Sequence, residues 1–200
     1  MHHDVDICVK QGDLHCVKAA FALERQRAWS MNRNVEIKAK VDDLAAVRAE
    51  AQRLADEGFV ILKQEDTFFQ CERGRLKLRR LEESAEAELI YYERPDAAGP
   101  RESRYLVHRT SAPHGLYAAL SAALGVVGVV RKRRTLYLIG PTRVHLDEVE
   151  GLGDFVELEV VLQPDQDVSD GVATAEDLMQ KLGIRPTQLI DKAYIDLLDA

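Results

Sequence analysis

The chain has 200 residues, 46% of them hydrophobic, with a formal net charge of -7 at pH 7. That apolar content suffices for one well-packed domain, while an acidic balance excludes a broad nucleic-acid-binding surface, which needs a basic face. No run approaches the roughly 18 apolar residues of a membrane span, the N-terminus lacks the layout of a signal peptide, and Cys8, Cys16 and Cys71 have no paired spacing. A soluble cytoplasmic protein is expected, monomeric or homodimeric, with neither nucleic acid nor membrane as partner.

Residues 1–31 read as an N-terminal extension, helical or partly disordered, and residues 32–200 as the folded domain. Residues 34–40 alternate as a strand, placing Val35, Ile37 and Ala39 on one face and Asn34, Glu36, Lys38 and Lys40 on the other. A helix is expected over 43–56, with Asp42 as N-cap, Gly58 past its end and an apolar stripe of Leu44, Val47, Ala51 and Leu54. Strands follow at 59–71, 74–81, 88–94 and 101–109, broken by turn residues, and a second helix runs over 115–124 to Gly125. Further strands at 126–138, 143–149 and 155–162 precede helices at 174–182 and 187–198. The fold class is therefore α+β: eight mostly antiparallel strands closed into a barrel with helices packed outside, apolar beneath the helices and polar within.

The inner face defines the chemistry. Arg75, Lys77 and Arg79 share one face of their strand with Leu76 and Leu78 on the other, and Glu157 and Glu159 fall together on theirs. Like charges at successive same-face positions repel unless an anion lies between them, and burying ions costs several kcal/mol each unless they are used. A divalent metal bound to a polyphosphate uses both signs. Glu36, Asp147, Glu157 and Glu159 offer hard oxygen ligands for Mg2+ or Mn2+, and the Arg and Lys side chains take phosphate oxygens. His145 reads as a tunnel-wall or substrate contact rather than a ligand. No glycine-rich phosphate loop is present, so side chains must hold the phosphates.

In this order the segments Asn34-Val35-Glu36-Ile37-Lys38, Asp66-Thr67-Phe68-Phe69, Gly74-Arg75-Leu76-Lys77-Leu78-Arg79, Lys132-x-Arg134, Leu146-Asp147-Glu148-Val149-Glu150-Gly151-Leu152-Gly153 and Glu157-Leu158-Glu159 resemble the CYTH superfamily, the triphosphate tunnel metalloenzymes. The first is similar to that family's Glu-x-Glu-x-Lys signature. The Arg94-Pro95-Asp96 turn and the Asp147 to Gly153 turn are most similar to the class IV adenylyl cyclase branch. The resemblance implies catalytic roles for Lys38, Glu36 and Glu159, and metal binding by Glu36, Asp147, Glu157 and Glu159. It also implies a triphosphate grip by Lys38, Lys40, Arg75, Lys77, Arg79, Arg94, Lys132, Arg134 and Arg143. Asn34 stands where the signature has its first Glu, and Tyr92 where triphosphatase relatives often place Lys. The activity implied is an adenylyl cyclase forming cyclic AMP and pyrophosphate from ATP; a triphosphatase and a noncatalytic polyphosphate- or nucleotide-binding module are the alternatives.

Overall fold

The computed structural model describes residues 31–198; apart from Met31, the expectation for residues 1–31 lies outside them. Eight strands form a closed barrel: β1 (Asn32–Lys40), β2 (Val60–Phe69), β3 (Arg75–Leu81), β4 (Ala87–Glu93), β5 (Arg101–Thr110), β6 (Val126–Ile139), β7 (Thr142–Val149) and β8 (Gly153–Val161). Their order around the barrel is β1-β5-β4-β3-β2-β6-β7-β8, and every neighbouring pair is antiparallel. Closure leaves no free edge and gives the sheet two distinct faces.

The register follows the alternation. In β1 the apolar phase of Val35, Ile37 and Ala39 is fully buried outside the barrel, beneath α1 (Leu44–Leu54) and α3 (Val168–Lys181). There Ile37, Val144, Leu146, Val156 and Leu158 meet Leu44, Val47 and Ala51 of α1 and Leu178 and Met179 of α3. Full burial of each larger side chain stabilises by about 1.5–3 kcal/mol. The approach of α3 to β1 is close because position 171 is glycine: a Cβ there would lie 2.6 Å from Val35 Cγ2 and 2.8 Å from Leu162 Cδ2. α2 (Pro113–Leu124) covers Phe69, Leu78 and Ala87 with Leu116, Tyr117 and Leu120.

Several local expectations are corrected. Asp43, not Asp42, caps α1, accepting from the Ala46 amide at 2.9 Å. α3 starts at Val168 rather than 174 because Asp167 accepts from the Ser169 amide at 2.9 Å and supplies an earlier cap. The single helix expected over 187–198 is a 3-10 turn (Pro186–Gln188), an extended stretch and a short α4 (Tyr194–Leu198). The break arises because Ile190 donates its amide to the Lys38 carbonyl at 2.9 Å and Leu189 bridges to Ala39, which pins the chain against β1. α4 then folds under one end of the barrel, packing Ala193, Tyr194 and Ile195 on Phe68, Val130, Val149 and Phe155.

The outer face is not apolar throughout. Between α1 and α2, the outward phases of β2, β3, β6 and β7 carry ion pairs in place of a helix: Arg131 with Glu65 at 2.9 Å, Arg133 with Glu148 at 2.7 Å, and Arg80 with Glu65. Among the described residues no helix is long and apolar enough to cross a membrane.

Candidate active site

The inward phase of the strands encloses a cavity of about 490 Å³ lined by eight Lys and Arg side chains and five carboxylates. Neighbouring strands place the charges by register: Glu36 faces Glu159 across β1 and β8, Arg143 faces Glu159 across β7 and β8, and Asp66 faces Arg79 across β2 and β3. One end is closed by Ala193 and Tyr194, whereas the other is lined by Leu62, Leu81, Val107, Leu136 and Arg109, of which Val107 and Arg109 are exposed.

Asp66 anchors the cationic wall. Its carboxylate accepts from Lys77 Nζ at 2.9 Å and from Arg79 Nε and Nη2 at 2.8 and 2.9 Å, with Lys132 Nζ 3.6 Å away. Burial pushes this carboxyl up, but Arg79, Lys77 and Lys132 outweigh it and hold the group well below the usual range. A second anchor, Asp147, is fully buried; it takes Arg134 Nε at 2.6 Å and Nη2 at 2.5 Å, and the Tyr194 hydroxyl donates to it at 3.0 Å. Lys132 lies between the two, and burial together with the positive charge of Arg134 lowers it to about 7, against the pull of Asp147 and Asp66. The ring of Tyr194 lies 3.4 Å below Lys38 Nζ, in cation–π geometry.

The acidic wall is formed by β1, β7 and β8. Glu157 accepts from Lys38 and Arg134, and Glu159 Oε2 from Arg143 Nε at 2.8 Å. Burial raises Glu159, but His145, Arg143 and Arg134 outweigh it and bring it to about 2. Burial and Arg134 lower His145 to about 3, so its imidazole is neutral at physiological pH. His145, Glu157 and Glu159 each offer a ligand atom, all within 4.8 Å of one another. Glu36 stands outside this trio, 3.2 Å from Arg94 and 3.6 Å from Arg101, with its carboxyl raised by burial despite Arg94.

Of the residues singled out in the sequence, the structure brings Glu36, Lys38, Lys77, Arg79, Arg94, Lys132, Arg134, Arg143, Glu157 and Glu159 onto the cavity. Three others, Lys40, Arg75 and Asp147, lie off the cavity lining. Lys40 shares the phase of Lys38 but lies past the barrel's closed end, exposed and 5.8 Å above the Phe155 ring. Arg75 shares the phase of Lys77 and Arg79 but lies at the first position of β3, held at the barrel's end by Asp96 and Asp196, at 3.0 and 2.8 Å. Asp147 lies behind the wall, fully buried, with both oxygens engaged by Arg134 and Tyr194, and so positions Arg134. Arg94 reaches the cavity from beyond the end of β4 and also donates to the Asp191 carbonyl at 3.0 Å.

The sequence reading placed Asp66-Thr67-Phe68-Phe69 among the segments that resemble the family but gave Asp66 no role, and it missed Tyr194 and the ligand geometry of His145. Asp66 was detectable as a lone acid in the inward phase between Gln64 and Phe68. Tyr194 carried no such signal, since only tertiary folding brings α4 under the barrel.

A closed antiparallel barrel whose cavity is lined by side chains of both charges is chemically suited to an anion and a cation together. Comparison identifies it: the CYTH domain family model matches residues 32–194, and the chain belongs to that family. It is similar to the adenylate cyclase CyaB of Aeromonas hydrophila, 26% identical over 151 residues that span 63% of this chain and 79% of the relative. The structure of PH1012 from Pyrococcus horikoshii OT3 superposes with a TM-score of 0.74 at 26% identity, covering 82% of this chain and 98% of that one. HpAC1 from Hippeastrum, described as having a dominant triphosphatase activity, shares the fold at 13% identity and a TM-score of 0.57, over 84% of this chain and 95% of its own.

Proposed function

We propose that the barrel binds a nucleoside triphosphate with a divalent cation, Mg2+ or Mn2+, and acts as an adenylyl cyclase, converting ATP to cyclic AMP and pyrophosphate. The observation that carries the reading is the cavity itself, in which eight cations outnumber five carboxylates and charges of the two signs pair with one another. The excess positive charge suits a polyanion held by side chains, and the acidic trio suits a cation beside it. The apolar residues at the open end, Leu62, Leu81, Val107 and Leu136, favour a substrate with an organic end over a bare phosphate chain.

Lys77, Arg79, Lys132, Arg134 and Arg143 grip the triphosphate, and Lys38 neutralises charge on the reacting phosphoryl group. Glu157 and Glu159 would hold the cation; Glu159 Oε1, which lies 3.7 Å from His145 Nδ1, is the oxygen turned away from Arg143. The chemistry a divalent cation held there would supply is neutralisation of the negative charge that develops on the phosphates. In the reaction the ribose 3′-oxygen bonds to the α-phosphorus while the bond to the β-phosphate oxygen breaks, and pyrophosphate leaves. The hydroxyl proton passes to a carboxylate, for which Glu36, raised by burial, is the most basic of the wall.

The test is incubation with Mg2+ or Mn2+ and ATP, thiamine triphosphate or tripolyphosphate, with products resolved. Cyclic AMP with pyrophosphate is the expected result. Orthophosphate release would mark a triphosphatase in the same tunnel, and binding without turnover a noncatalytic module. Glu159→Gln, nearly isosteric, is expected to leave the thermal midpoint within a few degrees and to lower kcat by about 100-fold or more. Unchanged metal-dependent turnover in that variant would remove Glu159 from the site.

A further inference from the structure

Among the buried polar atoms of the described residues, His145 Nδ1 has no hydrogen-bond partner. The residue is 4% exposed, and leaving such an atom unpaired costs about 1–3 kcal/mol, so a buried imidazole held this way points to a partner the protein alone does not contain. Its surroundings identify that partner. Nδ1 lies 3.7 Å from Glu159 Oε1 and 3.9 Å from Glu157 Oε2, too far to share a proton well. Ligands of a common cation, each about 2.0–2.2 Å from it, lie about 3.0–3.6 Å from one another, so these atoms need draw together by only a few tenths of an ångström to share one. The position is fixed by the fold: His145 faces Glu157 across β7 and β8, in the same inward phase as Arg143.

Resting on the metal-dependent reading above, we propose that His145 is itself a ligand, so that the barrel holds its cation in a mixed imidazole–carboxylate site with Glu157 and Glu159 and prefers a first-row transition dication, such as Mn2+, to Mg2+. The chemistry follows from the donor set. Mg2+ takes oxygen ligands almost exclusively and dehydrates reluctantly, whereas a nitrogen donor raises affinity for transition dications. Glu157 is engaged by Lys38 and Arg134 in the absence of ligand. Phosphate oxygens arriving with the metal give those two cations new partners and release the carboxylate, so cation and triphosphate should bind with positive coupling.

The experiment uses the full chain with Mn2+ as probe. Pulsed electron paramagnetic resonance of the bound Mn2+ is expected to show ¹⁴N coupling of imidazole type, lost in His145→Gln. In parallel, the Mn2+ dissociation constant is expected to rise at least about 10-fold in His145→Gln, while that for Mg2+, measured by competition, changes less than about 3-fold. Bound Mn2+ without ¹⁴N coupling, or equal loss of both metals, would overturn the histidine assignment and leave the metal-dependent reading standing. Absence of any divalent-cation binding, with or without tripolyphosphate, would overturn both. Should His145→Gln fail to fold, the wild-type ¹⁴N signal alone decides the question.

Discussion

Lys132 shows what the enclosed charges do at the level of one residue. It is buried between Asp66 and Asp147 yet lowered to about 7, because burial and Arg134 together exceed the help from the two carboxylates. The free protein therefore releases this proton well below the ordinary lysine value of 10.5. A triphosphate brings negative charge and restores it. Binding should then take up a proton at pH 8 and little below pH 6.5, so Lys132 makes the affinity fall as pH rises above about 7. Calorimetric titration with tripolyphosphate in buffers of different ionisation enthalpy measures the uptake, and Lys132→Met should remove it. Equal uptake in the variant would place the titrating group elsewhere.

At the scale of elements, the barrel depends on two close contacts made by helices. α3 seats on β1 through Gly171, where a methyl group would meet Val35 and Leu162 at under 3 Å. Gly171→Ala gains about 1 kcal/mol in helix propensity but incurs about 1–3 kcal/mol of overpacking, so a net loss of stability is expected in urea unfolding. A gain would mean that α3 can move away from β1. α4 closes the barrel with Tyr194, whose hydroxyl donates to the buried Asp147. Tyr194→Phe should cost about 1.5–3 kcal/mol, as for a hydrogen bond to a charged group; a cost below about 0.5 kcal/mol would show that Asp147 is satisfied by Arg134 alone.

These elements also show where the sequence was readable. Strict alternation in β1, β3 and β8 gave the strands, their inward charges and hence the closed barrel, because a period of two admits only one assignment of faces. Arg131 to Arg134 resolved in the same way, with Lys132 and Arg134 inward and Arg131 and Arg133 outward. Alternation fails at strand ends, which is why Lys40 and Arg75, correctly phased, miss the cavity. It says nothing of how the last helix would break, since that depends on Leu189 and Ile190 meeting β1, a contact about 150 residues distant in sequence. His145 was legible as an inward residue, but its unpaired nitrogen appears only when β8 is laid beside β7.

For the molecule as a whole, charge is segregated rather than balanced. The chain carries a net charge of -7, yet its cavity has more cations than carboxylates. Polyanions are therefore disfavoured over much of the surface and favoured in the barrel, where exclusion of bulk water strengthens each contact. The central claim is that this cavity holds a triphosphate and a divalent cation together. Calorimetric titration of the wild-type protein with tripolyphosphate, pyrophosphate and orthophosphate, each with Mn2+ and with the metal removed by chelation, tests it most directly. One site per chain is expected, with affinity rising steeply from orthophosphate to tripolyphosphate and at least about 10-fold weakening without the cation, a coupling of about 1.4 kcal/mol. Tripolyphosphate binding no tighter than orthophosphate, or indifferent to the metal, would contradict it.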